Sequence, residues 1–319
     1  MKIAVVGTFS GWMGIHMEQM AKALESLGHT VARLDDSKLR RGFFRQRTFE
    51  DFNRRFRALM RKIAPDLLLI TMSRPYYDFR ALRENSPATR IAVWDFDGPN
   101  WRCVPSDFRD IDLLLTVSRV TGKLMRADGV NAHYLPHGAD CEYYSPRPPV
   151  PRFASPVSYV GRATERRAEL CRLLAGDGLA LYGRRWSGLK DMPEIKRCIR
   201  GGRDVIGDDM VNIYCSSTCM INLLQGKLAE QHTILSLQVF AIPASGGCLV
   251  TEYTEELAEA FTPGKELLVW NTPEELVDQV RYCVKNPEFA RRIGLAGRER
   301  CLRDHTQKTR MRQLLKLAE

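Results

Sequence analysis

Two glycine-rich turns supply the first residues in this chain whose types and spacing suit chemistry. Gly7-Thr-Phe-Ser-Gly11-Trp12-Met-Gly14 joins an apolar run, Lys2–Val6, to a helical pattern. Glycines there let a ligand approach the backbone, and a helix start favours negative charge. Gly11, Trp12 and Gly14 are thus candidates for an acceptor or phosphate loop. The spacing is not the strict dinucleotide fingerprint. No acidic residue is expected at the end of strand two, placed at Val31–Leu34, so a nicotinamide site is disfavoured. The second turn, Tyr159-Val-Gly161-Arg162-Ala-Thr-Glu-Arg166, follows another apolar run. Gly161 permits close approach. Arg162, Arg166 and the helix start behind them suit a diphosphate.

Carboxylates come next. Asp95-Phe-Asp97 has the short spacing of a metal-binding DxD, a weak signal in a chain whose pattern repeats a nucleotide-binding layout. A carboxylate taking the proton of an acceptor hydroxyl is the better use, so Asp97 is the candidate general base and His16 the alternative. No HExxH, GxSxG or P-loop is present, and Cys215 and Cys219 lack a second pair for zinc. No catalytic metal and no cofactor are expected.

Short apolar runs alternating with helical stretches must position these residues, the pattern of an α/β protein with parallel sheets. Strands are expected at Lys2–Val6, Val31–Leu34, Asp66–Thr71, Ile91–Trp94, Leu113–Val117 and Ala132–Leu135. A second series reads Val157–Val160, Leu179–Tyr182, Met220–Leu223, Leu249–Thr251 and Leu267–Trp270. Between the series lies Ser145–Pro156, five of whose twelve residues are proline. Such a stretch is neither helix interior nor central strand, which places a linker there. The 319 residues suit two domains. We expect one domain over 1–148, a second over 149–300, and a terminal helical segment over 301–319.

The nine cysteines are an odd number without paired spacing, which suggests reduced thiols and a cytoplasmic home. No apolar run approaches the roughly 20 residues a membrane helix needs. The net charge is +10, and it is concentrated: residues 38–62 carry a net +8 and residues 285–319 a net +6. Concentrated charge of this kind attracts a polyanion. Arg40, Arg41, Arg45, Arg47, Arg54 and Arg55 form the candidate patch, with Phe43 and Phe44 among them to stack on bases. If the terminal helix crosses back, both basic clusters share one face. DNA, RNA, a phosphate polymer or an anionic membrane surface would fit it.

Several stretches together resemble the GT-B glycosyltransferases, most closely the CgeB-like group named for a spore-maturation protein. They are Tyr134-Leu-Pro-His-Gly-Ala-Asp140, Val157–Arg162, Leu181–Trp186, and Ser236-Leu-Gln-Val-Phe-Ala-Ile-Pro-Ala-Ser-Gly-Gly-Cys-Leu-Val-Thr-Glu-Tyr253. Glu256–Glu266 and Asn271–Leu276 continue the similarity, which spans most of residues 90–310. The resemblance implies two Rossmann-like doubly wound domains with a cleft between them, the first on the acceptor side, the second holding the donor, and a terminal helix over 301–319 packing back on the first domain. It implies metal-independent transfer of a hexosyl or pentosyl group from a nucleotide sugar to a hydroxyl acceptor. Gly161 and Arg162 would meet the diphosphate, Tyr182 and Gly183 the base, and Ser236, Leu237 and Gln238 the phosphates or sugar. One departure stands out. Many relatives place a ribose-binding glutamate two residues before the helix proline, where this chain has Ala241, and Thr233 stands eight earlier. Glu252 or Glu230 would then serve the ribose. The alternative is an inactive module that binds sugar nucleotides or nucleic acid.

Overall fold

The computed structural model describes residues 1–41, 48–72, 77–96, 105–189, 192–224 and 234–319. Arg45, Arg47, Asp97 and Glu230 lie outside the described residues, as does the side chain of Trp12. The chain divides into two compact units, Met1–Pro136 with Gln307–Glu319, and His137–Thr306.

Unit one runs β1 (Lys2–Gly7), α1 (Gly11–Glu25), β2 (Thr30–Asp35), α2 (Asp36–Arg40), α3 (Phe49–Ile63), β3 (Leu67–Met72), α4 (Phe79–Asn85), β4 (Arg90–Asp95), β5 (Leu113–Thr116), α5 (Arg119–Ala127) and β6 (Ala132–Tyr134). Among the described residues the strands pair in parallel in the order β2-β1-β3-β4-β5-β6. Helices cover both faces, which is why the central strands are apolar throughout. The strand alternation of β1 shows it. Ala4 and Val6 join the core containing Phe52, Phe56 and Met60 of α3. Ile3 and Val5 join Met17, Met20 and Leu24 of α1, together with Met311 and Leu314 near the C-terminus.

Unit two runs β7 (Ser155–Val160), α6 (Glu165–Leu173), β8 (Leu179–Tyr182), α7 (Pro193–Cys198), β9 (Ile199–Gly201), α8 (Asp208–Ser216), β10 (Ser217–Asn222), α9 (Leu237–Ala244), β11 (Leu249–Glu252), α10 (Glu255–Ala260), β12 (Leu268–Trp270), α11 (Pro273–Lys285) and α12 (Pro287–Asp304). The last helix, α13 (Gln307–Ala318), belongs to unit one. The second sheet is parallel in the order β12-β11-β10-β7-β8-β9. Helix starts follow local chemistry. Thr272 accepts from the Glu275 amide at 3.3 Å with Pro273 at the first helical position.

The structure corrects several expectations. Residues Ser145–Pro156 belong to unit two, and the units divide at Pro136, earlier than 148. The prolines lay this stretch along α8. Arg147 pairs with Asp208, Arg152 with Asp209, and the Val150 amide donates to Ser216 Oγ at 2.9 Å. The crossing back falls between Thr306 and Gln307 rather than at 301, because α12 continues to Asp304. Within unit one the basic residues of α3 and α13 do not share a face of the sheet. Helix α3 packs on one side of the first sheet and α13 on the other, and α12 lies in unit two. No described helix is long and apolar enough to cross a membrane.

Candidate functional site

In a doubly wound sheet, ligands settle outside the strand carboxyl ends where the strand order reverses. In unit two that point lies between β7 and β10: β8 and β9 follow on one side, β10 to β12 on the other. The turn leaving β7 is Gly161-Arg162. A methyl group on Gly161 would stand 2.5 Å from the Tyr159 hydroxyl, and one on Gly183 would stand 2.3 Å from the Gly161 carbonyl oxygen. Gly183 also has φ +126°, a conformation closed to side chains. The two turns therefore press backbone to backbone, and Trp186 Nε1 fastens them by donating to the Gly161 carbonyl at 2.9 Å.

Helix α9 starts at the same point. Gln238 Nε2 donates to the Val160 carbonyl at 2.8 Å, and Ser236 Oγ to Asn222 Oδ1 at 3.4 Å. These contacts hold the amino end of α9 over the ends of β7 and β10. The Val239 amide bonds the Ser236 carbonyl at 3.0 Å, and the Leu237 and Gln238 amides before it lie at the positive end of the helix dipole. Leu237 opens the helix beside Ser236. Arg162 is exposed and, among the described residues, makes no side-chain hydrogen bond or ion pair. It is the arginine at this turn available to an anion.

Arg166 and Glu252 do other work. Both were expected to touch the donor, the first at phosphate and the second at ribose. Instead Arg166 grips Glu252 with two bonds of 2.8 and 2.9 Å and also reaches the Leu224 carbonyl at 3.1 Å. The Glu252 carboxylate, 5% exposed, accepts from the Leu224 amide at 3.0 Å as well. The reason is desolvation: a carboxylate buried at a strand end needs a cation and amides, and Arg166, the second residue of α6, is that cation. Arg167 closes the arrangement, donating to Leu223 and Arg162 carbonyls at 3.0 and 3.1 Å. The sequence reading missed this scaffold, although Arg166-Arg167 and a lone strand-end glutamate are its visible signs. Tyr182 ends β8 beside Gly183, and burial raises its hydroxyl above the usual phenol range.

In unit one the order reverses between β1 and β3. The turn is tight. A methyl on Gly14 would stand 2.6 Å from Phe9 backbone, while Gly11 has φ +62° and open space. Strand β2 extends past the expected Leu34 and ends in Asp35, so the expectation of no acidic residue there is overturned. Both acids are internally used. Asp35 caps α2, accepting from the Ser37 amide at 3.1 Å. Asp36 receives Tyr77 OH at 2.9 Å and Arg40 Nη2 at 3.2 Å. Burial raises the Asp36 carboxyl above the usual range, opposed by Arg40. Arg40 thus leaves the polyanion patch. Arg54 and Arg55 both pair with Asp51 yet stay 72% and 50% exposed, and Arg41 is exposed. His16 is buried, edge-on to Phe96 at 5.2 Å. Asp95 is buried and accepts from Thr116 Oγ1 at 2.9 Å. Among the described residues no group of His, Cys, Asp and Glu side chains could hold a metal ion.

Residues 162–316 match the family described as "Glycosyl transferase-like". No curated protein sequence matches the chain. Among solved structures, a sucrose-phosphate synthase from Thermosynechococcus elongatus superposes with TM-score 0.71 at 14% identity, over 99% of this chain and 98% of that one. Alr3699/HepE from Anabaena, in complex with UDP and glucose, gives TM-score 0.65 at 12% identity, over 99% and 98%. An α-glucosyltransferase in complex with UDP and a 13-mer DNA gives 0.69 at 11%, over 100% and 99%. At these identities the likeness concerns the fold, which is that of the GT-B glycosyltransferase structures.

Proposed function

We propose that the chain transfers a glycosyl group from a nucleoside diphosphate sugar to an acceptor hydroxyl, and that unit two holds the donor. The observation that carries this reading is the start of α9 pinned over β7 and β10 beside the exposed Arg162. In the reaction the bond from the anomeric carbon to the diphosphate oxygen breaks and one to the acceptor oxygen forms. The acceptor proton passes to a base, and negative charge grows on the departing diphosphate. Fixed donors aimed at that charge lower the barrier, and Arg162 with the α9 amides supplies them. Gly161 and Gly183 keep the backbone open for the diphosphate and base. No metal is needed for that task, since the charge is met by the guanidinium and the helix end. The family match over the donor half supports the reading. The UDP and sugar held by Alr3699/HepE give the ligand class.

The test is incubation with a panel of sugar nucleotides, without acceptor, while free nucleoside diphosphate is measured. Slow release from one donor is expected. Tight binding without release from any donor would instead favour a non-catalytic binding module.

A polyanionic acceptor is a second reading, favoured by one observation: the outward face of α3 exposes Arg54, Arg55, Arg61 and Lys62. The DNA held by the α-glucosyltransferase is of this ligand class. The patch is narrower than the sequence suggested, because Arg40 is engaged and α13 lies on the far face of the sheet.

A further inference from the structure

At the opposite edge of the second sheet from the α9 start, a cavity of about 340 Å³ opens at the amino ends of β10 and β11. Its lining includes Cys215, Ser217, Ser245, Cys248, Arg147 and Arg291. Cys248 is the end of a chain of sulfur contacts. Its Sγ lies 3.9 Å from Cys283 Sγ on α11, and Cys283 also meets Cys219 of β10. All three thiols are buried in one core cluster. Nothing in glycosyl transfer uses them, and small apolar residues would fill the space as well.

We propose that this cavity is a thiol–disulfide exchange site: a low-molecular-weight disulfide enters, Cys248 attacks it, and Cys283 resolves the product into a Cys248–Cys283 disulfide. Cys248 is the attacking residue because it lines the cavity, whereas Cys283 stands behind it. The chemistry balances. The Cys248 proton is released to solvent in the cavity, and the Cys248 thiolate attacks one sulfur of R–S–S–R to form a mixed disulfide, expelling RS⁻, which takes up a proton. Cys283 then loses a proton and attacks the Cys248 sulfur, expelling the second RS⁻. The protein loses two electrons and two protons, and the small disulfide becomes two RSH. Closing a bond near 2.05 Å from 3.9 Å takes side-chain rotation of both residues. The product ties α11 to the start of β11, the strand whose far end holds Glu252. The inference is independent of the sugar-transfer reading.

The full chain is incubated with glutathione disulfide while its far-UV signal stays native, then digested without reduction and mapped by mass spectrometry. Wild type should lose two hydrogens, show a Cys248–Cys283 peptide pair, and revert with dithiothreitol. Cys283→Ser should stop at a glutathione adduct on Cys248, and Cys248→Ser should give neither product. Should serine unfold the core, Cys283→Ala and Cys248→Ala replace them, and the wild-type map is decisive by itself. Fully reduced cysteines in the folded wild type overturn the proposal. So does a bond or adduct at Cys215, or a Cys283 variant without adduct on Cys248.

Discussion

Arg162 and Arg166 stand four residues apart and differ in engagement. Arg162 is exposed and available, so Arg162→Ala should weaken nucleotide sugar binding by roughly 1.5–3 kcal/mol, the worth of a charge-assisted phosphate contact. Titration calorimetry of both proteins measures it, and equal affinities would remove Arg162 from the site. Arg166 is part of the frame. Glu252→Gln should leave Arg166 and the Leu224 amide poorly matched and cost about 2 kcal/mol of stability, discounted because Arg166 is one-third exposed. Urea unfolding of the variant reads that loss directly. His16 gives a pH prediction. Burial pushes its imidazole down to about 4 from 6.5, so the unfolded chain binds its proton more readily. The contribution of neutral His16 is full above about pH 6.5 and is lost as pH falls from there toward 4, a change on the order of 3 kcal/mol. His16→Leu should therefore lose less stability than wild type between pH 7 and 4.5. Parallel losses in urea midpoints would contradict this. The same burial makes His16 a residue of the turn's packing rather than one reaching solvent.

At the scale of elements, the sheet alternation was legible because each strand is a short apolar run between turn residues. Leu179–Tyr182 appears in the structure as a strand at the expected residues. The short edge strand β9 escaped, since Ile199-Arg-Gly201 has one apolar residue and its pairing depends on β8. The ends of β2 and the roles of Asp36, Arg40 and Tyr77 escaped too. Tyr77 meets Asp36 across forty-one residues of sequence, a contact that periodicity cannot encode. Arg166 and Glu252, eighty-six residues apart, escaped for the same reason. Gly161 and Gly183 were legible as permissive turns, but their mutual contact was not. It makes a sharp prediction: Gly183→Ala places a methyl 2.3 Å from the Gly161 oxygen in a forbidden conformation. Strain of about 1–3 kcal/mol should lower the melting temperature and weaken nucleotide binding together. Unchanged values of both would show that the turns yield. On α3, charge reversal at Arg54, Arg55, Arg61 and Lys62 tests the acceptor reading. With single-stranded DNA as probe, each lost phosphate contact should flatten the salt dependence of log K by about 0.7. Identical slopes would make the face a solvated surface.

At the scale of the whole molecule, charge and function separate. Much of the +10 net charge lies in two basic clusters of the sequence, but packing distributes them over opposite faces of the first sheet and over unit two. Many of those cations serve the fold. Arg298 caps the end of α9 through the Ala244 carbonyl, and Arg300 bonds the Ala260 carbonyl at 2.8 Å. The proposed donor site instead lies where the second sheet reverses its order, in residues 162–316, which match the glycosyl transferase-like family. Turnover there should persist in excess EDTA, and loss restored by manganese or magnesium would overturn the metal-free reading. In the proposed function the turn after β7 and the start of α9 hold the nucleotide sugar. The most direct measurement is amide hydrogen exchange of the whole chain with and without the donor that the panel identifies. Protection concentrated at residues 160–163, 182–185 and 236–239 is the predicted result. Saturating donor that protects only the β1–α1 turn of unit one would contradict the account.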